Sequence, residues 1–358
     1  MSLELFKEVE KRGHEQVVFF HYPEVGLKAI VGIHSTVLGP ALGGCRMKLY
    51  PSEKEAIDDV LRLSEGMTYK NSVAGLDIGG GKACIIADHN LSAGRRELFL
   101  KFGECVRDLG GRYITAEDMG TGVKDIMTVR EVCSFISGTS LEEGGGGDPS
   151  PWTAQGVFQG ILASAERYYS SKDLKGKTVA IQGMGHVGVF LAELLTKAGA
   201  KLVVTDIDSR KLEAARQDFG AEVVEPGKIY DAECDIYSPC AVGQTINSDT
   251  IKRLKCKIIA GGANNQLTDD SMYKPILERK ILYCPDFVIN AGGVINCASE
   301  LLPGGWSKSW TEAKVKNIYN TIHEVLERAE RQSLFPEIVA VEIAKERIEQ
   351  ARQKKAEA

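Results

Sequence analysis

The chain lacks long apolar runs and lacks an excess of basic residues. No stretch approaches the roughly 20 apolar residues that a membrane helix needs. The formal net charge is -5, so no overall positive field favours binding to nucleic acid or to an anionic membrane. The opening residues, 1–6, do not have the pattern of a secretory signal peptide. These absences predict a cytoplasmic protein that binds neither nucleic acid nor membrane.

Paired cysteines and metal-binding histidine motifs are absent as well. The nine cysteines are an odd number and are scattered from Cys45 to Cys297 without a C-x-x-C pair. This pattern is typical of reduced thiols and favours neither a disulfide framework nor a zinc site. The six histidines show no H-E-x-x-H spacing. We therefore expect a reducing compartment and no metal.

The length of 358 residues exceeds what one hydrophobic core usually serves and predicts two domains. Across residues 142–151, four glycines precede two prolines, which neither a helix nor a central strand tolerates. We interpret this stretch both as a solvated linker and as a domain junction with mobile backbone. The predicted domains are 1–143 and 150–332, with a C-terminal helix over 337–358 that packs back on the first domain.

A strand, a glycine turn, a helix and a second strand follow this junction over residues 178–206. The glycines are Gly183, Gly185 and Gly188, and Asp206 ends the second strand. In a dinucleotide-binding unit these glycines allow the tight turn, the approach of the pyrophosphate and close packing of the helix on the strand. The helix N-terminus then faces the phosphates, and the acid accepts hydrogen bonds from the ribose. The alternative is an ordinary glycine turn in an α/β core.

Periodic patterns on both sides of the junction predict an α/β fold. Residues 17–20 and 29–33 predict a hairpin, and Ser52 with Glu55 forms the capping box of an amphipathic helix. Further helices are predicted around 98–109, 153–169, 315–329 and 341–351. Short strands are predicted at 83–87, 113–115, 235–237, 257–260, 281–283 and 288–289.

Glycine-rich stretches at 39–44, 66–70 and 79–82 distinguish the first domain. Such runs permit close approach of the backbone to a ligand. Lys70 and Lys82 end the second and third stretches, where desolvation favours a neutral lysine that can act as a general base. Taken singly, each lysine fits an ordinary surface charge better than a general base.

Asp118 follows a predicted strand end, a position where α/β enzymes place active groups. Its alternative role is to cap a helix that begins near Val123. Composition does not exclude the neighbouring Glu117 as the functional acid. Spacing alone therefore leaves the role of Asp118 open.

Six ordered motifs together resemble the leucine, phenylalanine, valine and tryptophan dehydrogenases, relatives of glutamate dehydrogenase. The resemblance covers residues 15–351 and rests on GPALGGCRM, GMTYK, GGGK, TAEDMGT, GANNQL and NAGGVIN. It implies an N-terminal α/β substrate domain and a Rossmann-type, doubly wound dinucleotide-binding domain with a cleft between them. It also implies NAD-dependent oxidative deamination of an L-amino acid to a 2-oxo acid and ammonia.

Matched motif by motif, the resemblance assigns roles to single residues. It implies that Lys82 is the catalytic lysine, that Asp118 is its proton-transfer partner and that Lys70 binds the substrate carboxylate. The other implied substrate-binding residues are Leu42, Gly43, Met67, Ala116, Asn264 and Val294. The other implied cofactor-binding residues, beside those of the glycine turn and Asp206, are Thr153, His186, Val187, Cys240, Ala241, Asn264 and Asn290.

The matching pocket positions favour an aliphatic substrate. Ala116 and Val294 resemble those of the leucine and valine enzymes, so we predict leucine, valine or isoleucine as substrate. An aromatic amino acid is the first alternative, because Cys45, Met119 and residues 144–147 are closer to the phenylalanine or valine enzymes. The chain also departs from the usual pattern at Trp152 and over 297–310, which includes Trp306 and Trp310, and these departures affect the expected pocket rim and subunit contacts. The alternative of another class is a non-catalytic dinucleotide sensor. We expect a homo-oligomer.

Overall fold

The computed structural model describes residues 4–357. The first three residues, which belong to the segment without a signal-peptide pattern, lie outside the described residues. The same holds for residue 358, the last residue of the predicted C-terminal helix. The chain divides into two compact units. The first contains residues up to Asp148, Asn296–Lys308 and the chain from Ala344, and the second contains Pro149–Ile295 and Ser309–Ile343. The units differ from the predicted boundaries in that 296–308 joins the first unit and the last helix is divided at Ala344.

The helices and strands alternate through most of the chain. The α-helices are α1 (Leu5–Arg12), α2 (Glu53–Val73), α3 (Arg95–Asp108), α4 (Val123–Arg130), α5 (Ser150–Tyr169), α6 (His186–Lys197), α7 (Ser209–Phe219), α8 (Thr250–Arg253), α9 (Tyr273–Glu278), α10 (Asp286–Ile289), α11 (Gly292–Ser299), α12 (Lys308–Gln332) and α13 (Pro336–Glu357). The strands are β1 (Gln16–Tyr22), β2 (Leu27–Ser35), β3 (Ala41–Lys48), β4 (Gly79–Ile86), β5 (Tyr113–Glu117), β6 (Thr178–Gln182), β7 (Lys201–Thr205), β8 (Glu222–Val223), β9 (Ile236–Pro239), β10 (Ile258–Ile259) and β11 (Leu282–Tyr283).

The first unit is built on a five-stranded mixed sheet in the order β1-β2-β4-β3-β5. Strands β1 and β2 form the predicted antiparallel hairpin, and β3 pairs in parallel with both β4 and β5. One face packs against α3 and α4 through a core that includes Phe99, Phe102 and Val129, and the other packs against α2 through Val60 and Leu61. Strands β3, β4 and β5 therefore lie side by side at the centre and one edge of the sheet.

Helix α2 begins where the capping box predicts. The Ser52 side chain accepts a hydrogen bond from the Glu55 N–H at 3.2 Å, which satisfies one of the free donors of the first turn. The helix buries a stripe that includes Ile57, Val60 and Leu61, as expected for 3.6-residue periodicity. This packing fixes the position of the later turns, which carry Met67 and Lys70.

The second unit contains a six-stranded sheet in the order β11-β10-β9-β6-β7-β8, and every recorded strand pair in it is parallel. In chain order this is the doubly wound 3-2-1-4-5-6 arrangement of dinucleotide-binding folds, in which ligands bind where the strand order reverses. The reversal lies between β6 and β9. The turns after these two strands therefore meet at the expected ligand position.

Two local predictions are wrong, and one strand was not predicted. Residues 288–289 are part of the short helix α10, because a two-residue apolar run carries no period that separates helix from strand. The first glycine-rich stretch, 39–44, runs into the buried strand β3, for which no strand was predicted. Gly145 and Gly146 are buried, so the middle of the stretch interpreted as a solvated linker is packed.

Within residues 4–357, none of the helices is both long enough and apolar enough to cross a membrane.

Candidate active site

A lysine and a carboxylate meet at the centre of the first unit's sheet. Lys82 lies on β4 and is 6% exposed, and its Nζ lies 2.7 Å from Oδ2 of Asp118, which directly follows β5. The alternative of an ordinary surface charge is therefore wrong for Lys82. The carboxylate of Asp118 pairs with cations instead of capping α4, so that alternative is wrong as well.

Strand β3 lies between β4 and β5, and its glycines make this meeting possible. A Cβ on Gly44 would lie 2.4 Å from the Glu117 carbonyl oxygen and 2.8 Å from the Asp118 Cβ. A Cβ on Gly43 would lie 1.7 Å from the Gly81 carbonyl oxygen. Any side chain at these two positions would push the neighbouring strands away.

The third glycine run serves the protein's own packing. A Cβ on Gly79 would lie 1.9 Å from the Ser35 carbonyl oxygen, and one on Gly80 would lie 2.1 Å from the backbone nitrogen of Thr68. The interpretation of this run as room for a ligand is therefore wrong for Gly79 and Gly80. The missing side chain of Gly79 lets the end of β2 approach β4, and that of Gly80 lets α2 approach β4 two residues before Lys82.

The charge state of Asp118 follows from its surroundings. Burial by itself raises the pKa of this carboxyl, but the positive charges of Lys82 and Arg46 outweigh it and lower the pKa from 3.8 to about 2. For Glu117, burial and the nearby carboxylates of Asp148 and Asp118 raise the pKa. Of the two adjacent acids, Asp118 is the one held as an anion beside Lys82.

Arg46, which the sequence reasoning did not select, is the second cation on Asp118. Its Nε donates to Asp118 Oδ2 at 3.1 Å, and its Nη1 donates to Asp59 Oδ2 at 2.9 Å. Arg46 lies in the quoted motif GPALGGCRM. The available signal was its position two residues after Gly44 on one strand, which places both on the same face.

The predicted substrate-binding residues of the first unit lie on the elements around this pair. Lys70 and Met67 are half-buried on α2, while Leu42 on β3 and Ala116 on β5 are buried. The carbonyl of the fifth, Gly43, accepts a hydrogen bond from the Tyr113 hydroxyl at 2.6 Å.

Ala116 has two neighbours that the sequence reasoning did not connect with it. A Cβ added to Gly138 would lie 3.9 Å from the Ala116 Cβ and 3.9 Å from the Cys297 Sγ. Burial raises the pKa of the Cys297 thiol to about 12, so this thiol is neutral. Ala116, Gly138 and Cys297, which belong to three separate segments, therefore lie close together.

A single carboxylate, that of Glu300, contacts the backbone at both ends of the segment 138–146. Glu300 accepts hydrogen bonds from the backbone N–H groups of Gly138, Thr139 and Gly146 at 3.0, 3.2 and 2.9 Å. One of these residues, Gly146, belongs to the predicted domain junction, and the other two precede it. Trp306 packs nearby, where its indole N–H donates to Asn296 at 2.7 Å.

In the second unit, the glycine turn after β6 has the geometry that its motif predicts. Gly183 has φ +102°, in the region that favours glycine, and a Cβ on Gly188 would lie 2.0 Å from the Gly183 carbonyl oxygen. A Cβ on Gly185 would project into open space. Protein packing therefore requires Gly183 and Gly188 but leaves room at Gly185, where the motif brings the pyrophosphate.

Asp206 closes the turn from the end of β7. Its Oδ2 accepts the Met184 N–H at 2.7 Å, and its Oδ1 accepts the Asp208 N–H at 2.9 Å. The neighbouring Arg210 pairs with Asp208 at 2.9 Å. His186 and Val187 begin α6 in the first turn after the glycines.

The turn after β9 lies against the glycine turn. A Cβ on Gly183 would lie 2.6 Å from the Cβ of Ala241, and the Gly262 N–H donates to the Cys240 sulfur at 3.5 Å. Both predicted residues of this segment, Cys240 and Ala241, are therefore next to the predicted dinucleotide turn. The strand-order reversal of the sheet accounts for this neighbourhood.

Two asparagines form a pair beyond this turn. Asn290 is 4% exposed and donates through Nδ2 to Oδ1 of Asn264 at 2.7 Å. Within residues 4–357, Oδ1 of Asn290 is a buried acceptor without a hydrogen-bond partner. Of the remaining predicted residues, Thr153 lies on α5 and donates to the Pro149 carbonyl at 3.1 Å, and Val294 lies half-buried on α11.

No group of three or more His, Cys, Asp or Glu side chains within residues 4–357 is arranged to hold a metal ion.

Comparison with known proteins agrees with this geometry. The family model described as Glu/Leu/Phe/Val dehydrogenase, dimerisation domain, matches residues 14–134. The model described as Glutamate/Leucine/Phenylalanine/Valine dehydrogenase matches residues 144–211 and 205–356. The two models cover most of both units.

Full-length relatives share much of the sequence. Leucine dehydrogenase from Thermoactinomyces intermedius is 49% identical over 350 residues, which cover 98% of this chain and 95% of the relative. Phenylalanine dehydrogenase from the same organism is 42% identical over 347 residues, with 96% and 94% covered. The crystal structure of L-tryptophan dehydrogenase from Nostoc punctiforme superposes with a TM-score of 0.86 at 40% identity and covers 98% of this chain and 100% of that chain. The chain therefore belongs to the Glu/Leu/Phe/Val dehydrogenase family and is an amino-acid dehydrogenase that uses a nicotinamide dinucleotide.

Proposed function

We propose that the protein catalyses the reversible, NAD-dependent oxidative deamination of a branched-chain L-amino acid to its 2-oxo acid and ammonia. The observation that carries the proposal is the buried contact of 2.7 Å between Lys82 and Asp118. The branched-chain assignment is supported by the leucine dehydrogenase of Thermoactinomyces intermedius, which is 49% identical, against 42% for the phenylalanine enzyme of that organism.

In this proposal the first unit binds the amino acid and carries out the proton transfers. The ammonium group of Lys70 holds the substrate carboxylate, for which a point charge suffices. NAD, when bound, supplies the acceptor for the hydride that leaves the Cα atom. Lys82 in its neutral form takes a proton from the water that attacks this carbon, and Asp118 moves protons between that water and the substrate nitrogen.

The second unit is the proposed NAD-binding domain. The open space at Gly185 admits a pyrophosphate, and the N-terminus of α6 directs backbone N–H groups toward it. The unpaired Oδ1 of Asn290 fits a cofactor amide, because an unsatisfied buried acceptor is unfavourable until a donor reaches it. Asp206 selects NAD, since a carboxylate accepts ribose hydroxyl hydrogen bonds and repels a 2′-phosphate.

Ala116, with Gly138 and Cys297 beside it, is the pocket position that favours an aliphatic over an aromatic substrate side chain. Removal of one methyl group from an apolar pocket changes discrimination by roughly 1–3 kcal/mol. Deamination of phenylalanine or tryptophan is the second candidate, favoured by the 40% identity to a tryptophan dehydrogenase. A dinucleotide sensor without activity does not account for the buried lysine.

The test is the absorbance of NADH after the protein is mixed with NAD and single L-amino acids. We expect reduction with leucine, valine and isoleucine at a higher kcat/KM than with phenylalanine, tryptophan or glutamate. Lys82→Ala in the same assay shows whether the signal comes from this site. A preference for phenylalanine or tryptophan contradicts the branched-chain assignment, and no reduction with any amino acid contradicts the proposal as a whole.

We also propose that the protein is a cytoplasmic homo-oligomer. The first unit matches a model described as a dimerisation domain, and the cysteines of the described residues are all free thiols, which suits a reducing compartment. Light scattering of the purified chain at several concentrations tests the assembly. A mass of one chain at all concentrations contradicts it.

A further inference from the structure

The lysine and the arginine on Asp118 differ in one decisive property. Both cations contact Oδ2, Lys82 at 2.7 Å and Arg46 at 3.1 Å. The proposed reaction requires Lys82 to lose its proton, and at that point its charge no longer balances Asp118. Arg46 keeps its charge at every pH at which the protein is folded.

Arg46 is itself held in place from the opposite side. The side chain of Arg46 is 15% exposed, and its Nη1 donates at 2.9 Å to Asp59 on α2, whose side chain is 13% exposed. The Tyr50 hydroxyl donates to the same oxygen at 3.0 Å, and Arg62 donates to the other oxygen at 2.8 Å. A planar guanidinium contacted on two edges has little rotational freedom.

These contacts join the acid to the helix that carries Lys70. Asp59 and Lys70 both lie on α2, whereas Asp118 follows β5. Arg46 on β3 bridges the two elements, so the bridge fixes where the Asp118 carboxylate lies relative to α2.

We propose that Arg46 is a positioning residue for the reaction: it holds the Asp118 carboxylate ionised and in place during the part of the cycle in which Lys82 is neutral. This inference rests on the proposed function. Without Arg46, the loss of the Lys82 proton leaves a mostly buried carboxylate with no cation, and such a group takes up a proton more readily.

The other groups around Asp118 do not replace this charge. Glu117 is a second acid, whose pKa is raised by burial and by neighbouring carboxylates. The Cys45 thiol is buried, which raises its pKa and keeps it uncharged. Once Lys82 is neutral, Arg46 is therefore the cation, among the described residues, that still contacts the Asp118 carboxylate.

The test compares Arg46→Gln with Arg46→Lys and with the matched control Arg62→Gln. Arg62 pairs with the same Asp59 but is recorded on the oxygen away from Arg46. The measurements are kcat and KM for leucine as functions of pH, thermal unfolding, and an NMR titration of the Asp118 carboxyl carbon. The last of these requires no activity.

For Arg46→Gln we expect a kcat lower by about tenfold to a hundredfold, as for loss of positioning. We also expect the acid limb of the kcat profile and the Asp118 pKa to rise by about one pH unit or more, the usual effect of one neighbouring charge. Arg46→Lys should restore part of the kcat and part of the Asp118 pKa shift. Arg62→Gln should have the kcat profile and the Asp118 titration of the wild type. If Arg46→Gln does not fold, the double variant Arg46→Gln/Asp59→Asn removes both charges and replaces it in the comparison.

Two results overturn the inference. One is a folded Arg46→Gln protein with the wild-type kcat profile and an unchanged Asp118 titration. The other is a loss of activity that follows the melting temperature equally in Arg46→Gln and Arg62→Gln. If the wild-type protein deaminates no amino acid, the proposed function fails first, whereas the NMR titration still tests the contact.

Discussion

Acid should destabilise the first unit through two buried histidines, His14 and His34. The rings lie 4.7 Å apart, and they accept or donate hydrogen bonds at 2.8 Å with Ser64 and Thr68 on α2. Burial, together with the charge of His34, lowers the pKa of His14 from 6.5 to about 4. Burial also lowers the pKa of His34. Both rings are therefore neutral at pH 7.

The sign and size follow from linkage. Between pH 6.5 and about 4, His14 is protonated in the unfolded chain but not in the folded one, so this group lowers the free energy of unfolding as the pH falls. At pH 5 the loss from this one histidine is about 2 kcal/mol, at 1.36 kcal/mol per pH unit. For a unit of this size the loss lowers the melting temperature by about 4–8 °C.

The assay is thermal unfolding of wild-type, His14→Gln and His89→Gln proteins at pH 8 and pH 5. His14→Gln loses the hydrogen bond to Ser64, worth about 1 kcal/mol, so it should melt below the wild type at pH 8. It should melt at or above the wild type at pH 5. His89, whose side chain is 56% exposed, should show wild-type pH dependence when it is replaced. In the second unit, burial raises the pKa of Glu337 to about 8, so this group raises the free energy of unfolding as the pH falls. Because Glu337 is present in all three proteins, its contribution cancels when they are compared. If His14→Gln and the wild type lose equal stability between the two pH values, the reasoning is refuted.

Three further predictions concern activity. Lys82→Ala should lower kcat by about 10²–10⁴-fold with NAD affinity unchanged. Lys70→Ala should chiefly raise the KM for the amino acid. If Lys82→Ala forms NADH at the wild-type rate, Lys82 is not the general base. The wild type should use NADP much less efficiently than NAD, and Asp206→Ser should lower the NAD-to-NADP ratio of kcat/KM. Equal kcat/KM for the two cofactors in the wild type would contradict the proposed contact of Asp206 with the ribose. Ala116→Gly combined with Val294→Leu should shift the leucine-to-phenylalanine ratio of kcat/KM by about one to three orders of magnitude, and an unchanged ratio would show that other residues shape the pocket.

The order of elements followed from local sequence wherever one segment contained the whole signal. The hairpin of β1 and β2, the capped start of α2 and the glycine turn after β6 each depend on residues close together in the chain. Their physical causes, alternation, capping and positive φ, act within a few residues. The family motifs likewise identified Lys82 and Asp118 before any distance was available.

Residues that act through contacts between distant segments were decided by the tertiary structure alone. Gly79 and Gly80 suggested close approach of a ligand, but their missing side chains make room for a neighbouring strand and for α2. Glu300 orders backbone more than 150 residues earlier in the chain. Arg46 had no predicted role within its motif, and it contacts Asp118 only because β3 pairs in parallel with β4 and β5. The sequence determined which residue types were available for the chemistry, whereas the sheet register determined which charges face each other, because a Coulomb interaction depends on separation in space.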